Sequence, residues 1–102
     1  MNQAQLMAQV KKMQAEMTKA QEELASTIVT GAAAGGTVTV EITCDQRVKS
    51  VKIGRDVVDP EDVETLEDLI VVAVNDALAK AGEASQKRMS SVTGGMRIPG
   101  FM

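Results

Sequence analysis

The chain has 102 residues, 44% of them hydrophobic, with 11 Lys and Arg against 14 Asp and Glu for a net charge of −3, which fits a single domain with a modest core. It contains no histidine, tyrosine or tryptophan and one cysteine, Cys44, which excludes an internal disulfide, a Cys-His nucleophile and an ordinary zinc site. The polar opening Met1-Asn2-Gln3-Ala4-Gln5 lacks the order of a secretion signal, and no apolar run reaches the roughly 18 residues of a membrane span, so a cytoplasmic protein is expected. The one aromatic is Phe101, so the core must be aliphatic, with the seven methionines as adaptable filler.

From Gln3 to about Leu24 the less polar positions are Leu6, Val10, Met13, Met17, Ala20 and Leu24, alternating steps of four and three. That narrow seam predicts a helix that meets another helix, either within the same fold or in a dimer mate. Ser26 to Thr30 is short and β-branched and predicts a strand, and Gly31 to Gly36 predicts a flexible hairpin loop. Thr37 to Cys44 alternates strictly, with Val38, Val40, Ile42 and Cys44 on one face and Thr37, Thr39, Glu41 and Thr43 on the other. Asp45-Gln46 predicts a tight turn into a third strand, Arg47 to Ile53, with Val51 and Ile53 inward. Val48 falls out of that phase and predicts a bulge or an outward valine.

Asp59 reads as a helix N-cap and Pro60 as the first helical residue, with Glu61, Asp62 and Glu64 suited to the positive end of the helix dipole. The broad apolar face from Val63 to Ala81 suits both a sheet and a second helix. Gly82 is a possible break before a polar continuation to Met89, and the tail from about residue 90 to 102 is expected to be flexible. The elements add up to a single α+β domain over 1–102, a two-layer α-β-β-β-α arrangement with a three-stranded antiparallel sheet.

Chemistry-bearing patterns are few. The acids at the start of the second long helix fit dipole stabilisation better than a metal site, the glycines match no phosphate-binding motif, and Cys44 reads as a small buried residue. No catalytic residue, cofactor or metal is expected, and the protein is not expected to be an enzyme. Charge is segregated, however: residues 46–55 hold Arg47, Lys49, Lys52 and Arg55 with no acid, whereas residues 56–76 hold eight acids and no base. Lys11 and Lys12 on the first helix and Lys87 and Arg88 near the end of the second would come close together, as two short basic prongs, if those helices pack antiparallel around the sheet or across a dimer. Such prongs could hold phosphate backbone without reading bases. Simple solvation of the helix faces is an equal alternative for these lysines, and edge protection is one for the 46–55 cluster.

The chain resembles the YbaB/EbfC nucleoid-associated family along nearly its whole length. The resemblance lies in Gln14-Ala15-Glu16-Met17, Ala20-Gln21-Glu22-Glu23-Leu24, Val29-Thr30-Gly31, Gly36 and Val38, Leu66-Glu67-Asp68-Leu69-Ile70, Asn75-Asp76-Ala77, and Met89 through Thr93-Gly94-Gly95 to Pro99-Gly100. It implies a tweezers-like homodimer that binds double-stranded DNA in the nucleoid, with links to nucleoid organisation, gene regulation or recombination and repair, and with protein partners in recombination. It also implies DNA contacts at Lys11, Lys12, Lys19, Lys87 and Arg88. The competing reading is a non-catalytic adaptor that offers a Met-lined helix groove to a protein partner.

Overall fold

A computed structural model describes residues 2–93, and residues 94–102 of the expected tail lie outside the described residues. The element order is α1 (Gln3–Ser26), β1 (Ile28–Ala33), a 3-10 turn (Ala34–Gly36), β2 (Val38–Thr43), β3 (Val48–Ile53), a second 3-10 turn (Arg55–Val57) and α2 (Val63–Thr93). The sheet is antiparallel in the order β1-β2-β3, with β2 central. This is the expected α+β arrangement.

Each helix start has a local cause. At α1 a capping box closes: the Asn2 side chain accepts from the Gln5 N–H at 2.8 Å while the Gln5 side chain accepts from the Asn2 N–H. For α2 the cap is Asp62 rather than Asp59. Asp59 is used up in a preceding turn, accepting from the Glu61 N–H at 2.9 Å and from the Asp62 N–H at its carbonyl. Asp62 then accepts from both the N–H and the hydroxyl of Thr65, so the helix begins at Val63 and not at Pro60.

β1 extends three residues further than its β-branched stretch suggests, because Gly31, Ala32 and Ala33 pair with Val40, Thr39 and Val38. The loop shrinks to Ala34-Gly35-Gly36, all three at positive φ, which is why glycines recur there. Val38, Val40 and Ile42 are the largest fully buried side chains. Thr43, expected on the wet face, is buried because it exchanges hydrogen bonds with Arg47 and donates its hydroxyl to Asp45, closing the β2–β3 turn. The phase defect at Val48 is a bulge: Glu41 pairs with Ser50 and Ile42 with Val48, leaving Lys49 as the extra residue.

α2 lies over β1 and β2 and contributes Ala73, Ala77 and Ala81 to the core. The approach is close because Gly31 sits directly beneath it. A Cβ on Gly31 would collide with the Ala73 carbonyl and the Ala77 N–H, and would stand 2.7 Å from the Ala77 Cα. Two polar contacts hold the same seam. Asp76 accepts the outward-facing N–H of Ala32 at 3.0 Å, and Lys80 donates to the Thr30 carbonyl at 3.0 Å and pairs with Asp76 at 3.2 Å. The free edge of β1 is thereby capped by side chains of the helix above it.

Gly82 does not break α2, which runs unbroken through it and includes residues 90–93 of the expected tail. Nothing lies within 4 Å of a Cβ placed at Gly82, so this glycine serves no packing need. The two glycines therefore respond oppositely to alanine. Gly31→Ala should destabilise by about 1–3 kcal/mol through overpacking, and Gly82→Ala should stabilise by about 1 kcal/mol through helix propensity; thermal melts of the two variants check both signs.

The Ala32 N–H, and after it Lys80, hold the Asp76 carboxyl below its ordinary value. Its folded-state value thus lies under its unfolded one, so its contribution is complete above the ordinary carboxylate range and is lost as pH falls through the folded value. Asp76→Ala should lower the melting temperature at neutral pH and show a smaller further loss than wild type on acidification, as read from melts between about pH 7 and about pH 3.

Candidate nucleic-acid interface

α1 rises about 36 Å and α2 about 46 Å at the helical repeat, both far longer than the six-residue strands they serve. The molecule is accordingly drawn out to 70 × 26 × 17 Å. The C-terminal half of α1 packs on the C-terminal half of α2, so the two helices leave the sheet together as an arm.

The α1 seam records how far that packing reaches. Ala20 and Leu24 are buried, Met13 and Met17 are half-buried, and Leu6, Met7 and Val10 are exposed. The inner seam meets a helix of the same chain, which is one of the two partners its spacing allowed. The outer seam projects past that contact.

Register in the arm is held by Arg88, which donates from Nε to Glu23 Oε2 at 2.7 Å and from a terminal nitrogen to the Ser91 hydroxyl at 2.8 Å. Its hydrogen bond to Arg88 keeps the Glu23 carboxyl below its usual range, and the same bond raises the guanidinium of Arg88, with Glu16 contributing from a distance. Val92, one turn further along α2, is also buried.

The sequence-predicted contact residues are therefore not equivalent. Lys11, Lys12, Lys19 and Lys87 are exposed. Lys87 borders a shallow groove between β1 and α2, which Val29, Thr30, Lys80, Glu83 and Ala84 also line. Arg88 is half-buried and committed to Glu23. Lys19 lies one turn from Glu23, on the level where α2 carries Lys87 and Arg88. Lys11 and Lys12 stand about 16 Å further out along α1, counting the eleven residues from Lys12 to Glu23. The cations are thus spread along an arm, interleaved with Glu16, Glu22 and Glu83, and do not form a single cluster.

Sequence reasoning missed the Glu23–Arg88 lock, which joins residues 65 positions apart. The one available signal was the acid next to Leu24, at the inner end of the seam. Cys44 is buried and its thiol is pushed up by burial, in keeping with a packing role. Among the described residues no group of three or more metal-ligating side chains occurs, and no helix is long and apolar enough to cross a membrane.

The chain is 50% identical to a nucleoid-associated protein of Chloroflexus aurantiacus over 97 residues, covering 95% of this chain and 97% of the relative. It is likewise 50% identical to a nucleoid-associated protein of a Roseiflexus species over 101 residues, covering 99% and 100%. A nucleoid-associated protein of Syntrophobacter fumaroxidans is 51% identical over 95 residues, covering 93% and 86%. In fold it is similar to the crystal structure of an uncharacterised protein from Helicobacter pylori, with a TM-score of 0.71 at 23% identity and coverage of 94% and 97%. Residues 1–96 match the YbaB/EbfC DNA-binding family, and the chain belongs to that family.

Proposed function

We propose that this chain is a non-catalytic nucleoid-associated protein that binds duplex DNA as a homodimer, in the cytoplasm, mainly through contacts to phosphates. The observation that carries the reading is the two-helix arm, which bears Lys11, Lys12, Lys19 and Lys87 exposed along its length while the acids of residues 56–76 stay with the body. A duplex presents one negative charge per roughly 1.7 Å of axis, so cations spread along a rod can each meet a phosphate without base readout. Separation along the arm also moves these lysines beyond a screening length, about 8 Å at physiological salt, from most of the body's acids. Two such arms in a pair would act as a clasp. The relatives named as nucleoid-associated proteins support the same reading. Nucleoid organisation, gene regulation or recombination and repair are the processes we propose it serves.

Arg88 acts here as a positioning residue that holds α1 in register, not as a phosphate contact, since its nearest partner is Glu23. A second reading, an adaptor for a protein partner, is favoured by the exposed Leu6, Met7 and Val10 on the outer seam. The two differ in salt dependence.

If about four phosphates are neutralised, DNA affinity should fall roughly a hundred-fold between about 50 and about 200 mM salt. The triple variant Lys11→Glu/Lys12→Glu/Lys87→Glu should lose binding and keep its melting temperature. A gel-shift titration against salt checks both. Salt-independent binding that survives the triple variant and is lost with Met13→Lys would instead establish the adaptor.

A further inference from the structure

The seam of α1 outlasts its partner. α2 passes α1 in the opposite direction, since its contacts run from Gly31 at Ala73 and Ala77, through Thr30 at Lys80, to Glu23 at Arg88. Five described residues follow Arg88, which brings Thr93 level with about residue 18 of α1. The rest of α1 runs on from there to Gln3, about 22 Å at the helical repeat. A helical stretch of about 15 residues is marginal in water without a packed apolar face. Here the face exists and is uncovered: Leu6, Met7 and Val10 are 52%, 54% and 44% exposed, and Met13 is half-buried.

The sequence beyond Thr93 suits that face in composition, reach and charge. It reads Gly94-Gly95-Met96-Arg97-Ile98-Pro99-Gly100-Phe101-Met102, and it holds the one aromatic of the chain. Two glycines followed by a proline disfavour further helix. The segment starts on the correct side, because the seam is the side of α1 on which α2 lies. Nine extended residues span up to about 30 Å, whereas Leu6 stands twelve residues, about 18 Å, beyond the level of Thr93. Ile98 thus reaches Val10, and Phe101 reaches Leu6, without full extension. Glu16 is the one acid between residues 2 and 18, and it acts on Arg88, so it stands towards α2. The one charged side chain of the following segment is Arg97.

We propose that the outer seam of α1 is a docking surface for residues 96–102 of the same chain, with Ile98 and Phe101 covering Leu6, Met7 and Val10 and with Arg97 beside Glu16. The chain's own segment is favoured as occupant because it is tethered at the inner end of the exposed seam. A short tether makes the contact intramolecular, at an effective concentration on the order of millimolar, and no separate partner begins with that advantage. Such a strap completes the apolar contact that α2 leaves off and supports the helix as far as its capping box. Lys11, Lys12 and Lys19 lie off the seam, so the strap leaves them exposed. It also occupies the surface on which the adaptor reading depends. The strap requires neither the pairing of copies nor contact with DNA.

Because the chain has no tryptophan, Phe101→Trp places a single indole in the strap of the whole protein. Its emission should be blue-shifted from that of free tryptophan and shielded several-fold from acrylamide quenching. Adding Leu6→Lys/Val10→Lys should abolish both effects at an unchanged melting temperature, since both positions lie outside the core. Conversely, Ile98→Asp/Phe101→Asp should speed amide exchange at Val10 and Met13 about ten-fold and leave Val38 and Val40 unchanged. An indole that emits like free tryptophan, or one still shielded after the seam substitutions, overturns the strap. Oxidised Gln9→Cys/Gly100→Cys, run on a gel without reductant, identifies the occupant. A disulfide within one chain supports the strap, and one between two chains overturns it in favour of a second copy. All these readouts are taken without DNA, so the salt-dependent gel shift remains a separate test.

Discussion

Everything in this molecule hangs on how closely α2 can lie against β1. Gly31 removes the one side chain that would hold them apart, and Ala73 and Ala77 are small enough to use the space. Backbone then approaches backbone, so van der Waals contact is gained without bulky residues. This explains how a chain with one aromatic residue and few large buried side chains can form a core at all. The Asp76 and Lys80 contacts follow from the same closeness, since a helix further away could not reach the strand's main chain.

That contact also sets the direction of the arm. With α2 pinned over β1, its C-terminal half has to run off the sheet, and α1, which enters the sheet at Thr27, can only leave alongside it. Glu23 and Arg88 then fix the sliding register. The lysines owe their positions to an interaction made at the far end of the helix, well away from any of them. A thin core at one end and an exposed helical pair at the other divide the molecule into a body that carries the eight acids of residues 56–76 and a rod on which Lys11, Lys12, Lys19 and Lys87 stand among Glu16, Glu22, Glu23 and Glu83.

Much of this was legible in the residues themselves. The alternation from Thr37 to Cys44 identifies the central strand because β2 is flanked on both sides and covered on one face, which is the condition that imposes a clean period of two. The seam of α1 predicts helix contact correctly, yet spacing alone does not say where the contact stops, and the gradient from Leu24 to Leu6 depends on where α2 lies. Gly31-Ala32-Ala33 reads as loop because glycine and alanine disfavour strands. Tertiary packing overrides that preference, since only a residue without a side chain fits under Ala73. Asp59-Pro60 and Asp62 both offer capping chemistry, and a three-residue difference in helix start depends on which aspartate the preceding turn consumes. Arg88 looks like any other cation at a helix end, and only the fold brings Glu23 to it.

The Glu23–Arg88 pair has one more consequence. It lies at the surface, with side chains 45% and 31% exposed, so mobile ions weaken it just as they weaken attraction to a polyanion. Added electrolyte would then loosen the splint between the helices at the same time as it competes for the lysines. An ion count taken from the slope of affinity against salt would include the release of this internal strut, and so would exceed the number of phosphates touched.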